Sequence, residues 1–339
     1  MELLDRQRRP PQLVGFHWFN GEPVSLQEHR GSIILLEFWD YANHKSLHSL
    51  QYVIEWNRRY RDFGLVVVGV HSPRYEFGHE IGEVEKSLTK HSIDFSVVMD
   101  NDRSIAHSYG IRELPTLSLV DRDGFLRYSH SGGGGYEQFE RAIQALLAET
   151  GYHGAMPHFL EPISELDPEG AICYRPSSEL EMGFLHGSLG NLNGYNPSST
   201  VEYHDPKYYL PNRFYLEGKW IQEKEYVRFD GDPGEKGFLS LRYEGSGVNA
   251  IMRGLKDESR KLTIHRDSEA IPPSLAGDDV TFTELDESLV VINRAGLYEL
   301  VRKDEFGEHM LRLSVNCPGV EIYSFSFLTS LIPDFVQRN

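Results

Sequence analysis

Residues 33 to 39, Ile-Ile-Leu-Leu-Glu-Phe-Trp, form a nearly unbroken apolar run. A strand needs that composition when both faces of its sheet are covered, so the covering helices must come from the neighbouring sequence. They are legible there. Leu47, Leu50, Ile54 and Tyr60 recur at helical spacing, and Gly64 stands where that helix should stop. Leu65 to Val70 repeats the buried-strand pattern, residues 79 to 91 suit a second helix, and Phe95 to Met99 supplies a third strand. Such alternation predicts an α/β sheet.

A short helical stretch from Asp102 to Tyr109 follows, and Leu114-Pro115-Thr116 then enters a run with Leu117 and Leu119 in phase. The turn Asp121-Arg122-Asp123-Gly124 separates it from Phe125 to His130, which predicts an antiparallel hairpin. Gly132 to Gly135 leads into Tyr136, Phe139, Ile143, Leu146 and Leu147, the stripe of an amphipathic closing helix. The glycines lack the downstream Lys-Ser/Thr of a phosphate loop and read as a turn.

The chain has 339 residues, enough for two domains at about 150 residues each. A boundary is expected in residues 150–175, which hold Gly151, Gly154, Pro157, Pro162 and Pro168. Helical periodicity nearly vanishes beyond it. Short strand-like segments separated by turns, from Arg213–Leu216 to Val320–Phe327, predict a β-sandwich of jelly-roll type over residues 176–339.

The formal charge of −17 opposes both phosphate backbones and anionic lipid, so neither nucleic acid nor membrane is an expected partner. No apolar run approaches a membrane span and no signal peptide is evident, which leads to an expectation of a cytoplasmic protein. The two cysteines, Cys173 and Cys317, provide no disulfide framework and are expected to be small buried hydrophobes.

The order of elements, with Phe38-Trp39 before the first helix and Leu114-Pro115-Thr116 before the hairpin, resembles the thioredoxin superfamily. The segments Leu36 to Tyr41, Gly69-Val70-His71-Ser72-Pro73, Tyr109 to Arg112 and Gly132 to Tyr136 narrow the likeness to the redoxin branch typified by the C-terminal part of DipZ-type thiol-disulfide proteins. It covers residues 11–149. Some members carry a C-terminal β-sandwich, and Leu216 to Trp220 with Gly319 to Phe327 look similar.

The resemblance implies a Cys-x-x-Cys pair just after the Phe-Trp strand, but those positions fall on Asn43 and Ser46. Disulfide exchange requires an attacking thiolate, which neither residue provides. Asn43 suits the helix start as an N-cap. The resemblance also implies a cis bond at Pro115 and a surface that pairs with an extended peptide, made here of Trp39, Tyr41, Asn43, His44, Ser46, His71, Leu114 and Pro115. His44 and His48 have i, i+4 spacing but lack the third ligand of a zinc pattern, so no metal or cofactor is expected.

The resulting expectation is a redox-inactive adaptor or assembly protein that binds another polypeptide, with no catalytic residue of its own. Two alternatives remain open. One is a thiol-disulfide or peroxide oxidoreductase that uses Cys173 or Cys317. The other is a glycan-binding protein stacking sugar on Tyr208, Tyr209, Tyr215, Trp220 or Tyr226 of the C-terminal domain.

Overall fold

The computed structural model describes residues 3–5, 8–152, 154–232, 234–255, 258–302 and 304–333. The chain divides into two compact units, Met1–Ala171 and Ile172–Asn339.

The first unit runs β1 (Trp18–Phe19), β2 (Ile33–Trp39), α1 (His44–Tyr60), β3 (Leu65–His71), α2 (Ile81–Lys90), β4 (Ser96–Met99), α3 (Ser104–Tyr109), β5 (Thr116–Val120), β6 (Leu126–Ser131) and α4 (Tyr136–Glu149). Its sheet order is β1-β4-β3-β2-β5-β6. The pairs β2–β3 and β3–β4 are parallel, while β5, β6 and β1 join antiparallel. Every residue of β2 is buried, as its unbroken apolar run requires. Register places Trp39 beside His71 and Phe38 beside Thr116 at the end where α1 begins.

Helix α1 buries Ser46, Ser49, Leu50, Tyr52, Val53, Trp56 and Tyr60. Leu47 and Ile54, expected in the apolar stripe, are half-buried instead. Aromatic bulk sets the face: Trp56 stacks on Phe139 of α4 at 5.3 Å, and Tyr52 stacks on Tyr136 at 3.9 Å. The helix gives way to a 3-10 turn at Arg61–Phe63, which Gly64 ends in the left-handed region at φ 99°.

The stretch expected as a linker, 150–175, is partly built into this unit. Gln144 donates to Pro157 O, Arg59 to His158 O, and Leu160 N–H to the buried carboxylate of Glu140. Asp167 accepts from His48 Nε2 at 2.8 Å, Tyr52 Oη at 2.6 Å and Ser164 N at 2.8 Å. Glycine and proline mark irregular backbone, and irregular backbone can still be hydrogen-bonded onto a helix face.

The second unit is all-β: β7 (Leu180–Glu181), β8 (Thr200–Tyr203), β9 (Phe214–Gln222), β10 (Val227–Phe229), β11 (Gly237–Gly245), β12 (Gly247–Arg253), β13 (Arg260–Arg266), β14 (Glu269–Ala270), β15 (Val280–Phe282), β16 (Ser288–Ile292), β17 (Gly296–Val301), β18 (Gly307–Val315) and β19 (Glu321–Leu328). The main ladder reads β15-β16-β13-β18-β11-β9-β10-β19-β12-β17. Strand β9 joins its halves: Phe214–Glu217 pair with β11, and Trp220–Gln222 pair with β10. Between them Gly218 adopts φ 91°, a bend that a side chain would strain. The ladder is continuous through β9, and the unit is all-β as expected. One core gathers Trp220, Phe229, Tyr243, Tyr298 and Phe325 from strands along it.

Candidate functional site

The candidate site lies where β2 ends and α1 starts. Asn43 is extended (φ −124°, ψ 118°), and its side-chain oxygen accepts from Ser46 N at 3.0 Å. It therefore caps the helix as expected, a contact that contributes about 1 kcal/mol. The Leu114–Pro115 bond is cis.

The predicted surface proves to be mostly interior. Trp39, Tyr41, Ser46, His71 and Pro115 are buried, and only Asn43, His44 and Leu114 are partly open. Two exposed residues absent from the prediction frame the edge: Lys45, between the two positions of the expected cysteines, and Glu113, whose charges lie 3.9 Å apart. That pair joins the α1 turn to the Pro115 turn, although half-exposed ion pairs contribute little stability. Lys45 and Glu113, the exposed side chains that frame this edge, are thus charged.

Beneath the edge lie three titratable side chains. Glu37, fully buried in β2, makes no hydrogen bond of normal geometry on either carboxylate oxygen, although the Ser49 hydroxyl lies near it. Burial pushes its carboxyl up to about 8, and the Ser49 hydroxyl draws it only part-way back. Asp40 accepts from Ala42 N and Arg74 N, each at 2.9 Å, and stands 3.6 Å from His71 Nε2. Burial pushes Asp40 upward, but His71 and those two amides together outweigh it and hold the carboxyl below its usual range. Glu37 was visible as the single charge in an apolar strand, a residue that such a strand does not bury without reason.

The histidines have separate partners. His71 stacks on Tyr41 at 5.2 Å and meets Trp39 edge-on at 5.5 Å, whereas His48 turns to Asp167. Among the described residues, no group of three His, Cys, Asp or Glu side chains is arranged to hold a metal.

Cys173 and Cys317 are both outside any disulfide and half-buried, less enclosed than expected. They mark opposite ends of β19. Cys173 bridges to Leu331, beyond the Leu328 end, while Cys317 lies before Glu321, in a turn whose Pro318 O accepts from Arg260. Eight residues of strand at ~3.3 Å each put roughly 25 Å between those ends. A disulfide needs Cα atoms within about 7 Å, so these two cysteines cannot pair with one another.

In the second unit, Lys207, Tyr208, Tyr209, Arg242, Asp267, Glu308, His309 and Met310 line a cavity of about 380 Å³. Tyr215 and Trp220 are core residues instead. Tyr226 packs on Tyr323 at 5.0 Å.

With the geometry in view, relationships to known proteins place the chain. Residues 15–129 match the AhpC/TSA family, and residues 185–327 match the thioredoxin like C-terminal domain. The thiol-disulfide oxidoreductase YkuV of Bacillus subtilis is 30% identical over 42% of this chain and 97% of its own length. The chain belongs to the thioredoxin-like redoxins. Protein DipZ of Mycobacterium bovis is 25% identical to this redoxin over 94% of the chain, which spans only 42% of the DipZ length. The solution structure of a thioredoxin-like protein in the oxidized form is 28% identical and covers 43% of this redoxin and 99% of itself, with a TM-score of 0.40.

These relationships correct the expectation of a redox-inactive adaptor. That expectation rested on the missing sulfur at the start of α1. A relative matched over 97% of its own length is named for thiol-disulfide oxidoreduction, and this favours redox chemistry over scaffolding as the class of function. Among the described residues, no helix is long and apolar enough to cross a membrane.

Proposed function

We propose that this redoxin works in thiol-disulfide exchange on an extended, cysteine-bearing polypeptide held at the edge formed by Asn43, His44, Lys45, Glu113 and Leu114. In this reading Asn43 and Ser46 occupy the two positions where the family carries its cysteines. The observation that carries the reading is a kinship with a named oxidoreductase over nearly all of that relative's length, beside an AhpC/TSA match over residues 15–129 that includes the Asn43-capped start of α1. A substrate thiolate at that helix end gains from the α1 dipole and from the Lys45 charge.

The protein sulfur in this reading is Cys173 or Cys317. Its thiolate attacks a substrate disulfide, forming a mixed disulfide and releasing the other substrate sulfur as a thiolate that takes a proton from water. Because the two cysteines cannot pair, a low-molecular-weight thiol must resolve the mixed disulfide, forming a new disulfide with the substrate sulfur and returning the protein thiol. Insulin reduction by dithiothreitol tests this. The expected result is a rate above background that is lost in the Cys173→Ser/Cys317→Ser variant. A background rate for the natural chain, or an undiminished rate in the double variant, overturns the reading.

A second reading applies to the second unit, taken as a jelly-roll-type sandwich that binds glycan. The cavity favours it: Tyr208 is 68% exposed, and Lys207 and Arg242 balance Asp267 and Glu308 around it. A neutral polyol with an apolar ring face suits such walls. A glycan array is expected to give a signal that Tyr208→Ala abolishes, and a blank array contradicts the reading.

A further inference from the structure

His71 was expected to touch a bound polypeptide, yet the ring is fully buried. Its environment is unusual for an interior histidine. Neither ring nitrogen makes a hydrogen bond within normal reach, and the nearest charge is the Asp40 carboxylate, 3.6 Å from Nε2. One face of the ring is covered by Tyr41 and its edge by Trp39, so the imidazole cannot swing to another partner without breaking both contacts.

Asp40, in turn, organises the turn that begins the helix. Its carboxylate accepts from Ala42 N and from Arg74 N, tying the β2–α1 turn to the segment after β3. Its own carbonyl accepts from Asn43 N at 3.0 Å, and Ser72 N donates to Trp39 O at 2.9 Å. The carboxylate thus holds Ala42, the residue before Asn43, and an enclosed carboxylate holds its geometry only when its charge is compensated. Two amides provide part of that compensation. Among the described residues, the titratable base at ion-pair distance from Asp40 is His71, with Nε2 3.6 Å away.

We propose that His71 is a positioning residue for the polypeptide-binding edge, acting as the buried counter-charge of Asp40 and through it holding the Tyr41–Asn43 turn at the start of α1. The role rests on the reading of that edge as the substrate site, but not on the identity of the attacking sulfur. It also explains the stacking of Tyr41 on His71: Tyr41 is part of the turn being positioned, and its ring packs on the imidazole that positions it.

The test uses the full chain, His71→Gln, Asp40→Asn and the double variant, with two readouts. Amide hydrogen exchange follows Ala42, Asn43 and Arg74, and reduced insulin B chain serves as the binding probe. His71→Gln leaves the carboxylate uncompensated, so those amides are expected to exchange at least about tenfold faster, with a similar loss of B-chain affinity. The double variant holds two neutral amides in place of the charges and is expected to return both readouts to within about threefold of the natural chain.

A double variant whose losses equal the product of the two single losses overturns the proposal, because two residues that merely pack would behave independently. Unchanged exchange in both single variants also overturns it. If His71→Gln does not fold, Asp40→Asn alone decides: faster exchange at Asn43 is expected, and no change contradicts the mechanism. Absence of B-chain binding by the natural chain sinks the proposed substrate edge, while the exchange readout still settles what His71 does to the turn.

Discussion

Among the described residues, the first unit buries Glu37, Asp40, His71, Asp100, Asp121 and Glu140, whereas the second buries Arg266 as its one charged side chain. Three of the first unit's six have evident structural work. Asp100 accepts from Ile105 N and Ala106 N at the start of α3, Asp121 accepts from Asp123 N and Phe125 N in the hairpin turn, and Glu140 receives Tyr60 Oη and Leu160 N. The other three, Glu37, Asp40 and His71, gather at the β2–α1 end. Setting aside the buried titratable groups that anchor α3, the hairpin turn and the segment after α4 thus leaves the candidate site, where Asp40 also accepts from backbone, at Ala42 N and Arg74 N. The same subtraction leaves little in the second unit, where apolar packing dominates.

Packing should matter most in the apolar core of the second unit. Trp220→Ala in the second unit removes a fully buried indole and is expected to cost about 3–5 kcal/mol. Chemical denaturation monitored on that unit checks it; a loss below 1 kcal/mol would show that its core relaxes far more readily than close packing allows.

The next largest effect belongs to Glu37, whose carboxyl is raised from 4.5 to about 8. A raised folded value means the protonated form is favoured by the fold. The contribution is therefore fully present below pH ~4.5 and lost as pH rises through about 8, a change on the order of 3 kcal/mol by pH 7. Denaturation midpoints of the natural chain should fall across that window, and Glu37→Gln should flatten the slope. A midpoint that rises with pH in both proteins contradicts the assignment.

Asp167→Ala removes the acceptor for His48, Tyr52 and Ser164, with an expected loss of about 1–3 kcal/mol. Limited proteolysis should then cut within 157–167, and resistance equal to that of the natural chain would mean this segment is held by other contacts. The smallest effect is at the surface. Glu113→Gln should change stability by less than about 1 kcal/mol and alter substrate binding only at low salt, because an exposed pair is screened. An effect that persists in 1 M salt would show that Glu113 acts by shape instead of charge.

Much of the first unit was legible because its strands and helices alternate: the 33–39 run, the Asp-Gly turn and the α4 stripe each correspond to an observed element. The rotated face of α1 was not, since Leu47 and Ile54 compete with Tyr52 and Trp56 for the same stripe and only packing against α4 decides between them. Nor was the Asp167 contact, which joins residues 119 positions apart. Within the site, the Asn43 cap could be read from residue type and place. The burial of His71 could not, because the aromatic neighbours that enclose it come from the neighbouring strand and the turn that follows it.

Disulfide exchange through a sulfur remote in sequence from α1 requires a mixed disulfide on Cys173 or Cys317. Mass spectrometry after incubation with a peptide disulfide, quenched by acid and digested, tests it most directly. A peptide adduct on Cys173 or Cys317 that disappears when a low-molecular-weight thiol is added is the expected result. Both cysteines recovered unmodified, under conditions where the peptide disulfide reacts freely with a model thiol, would contradict it.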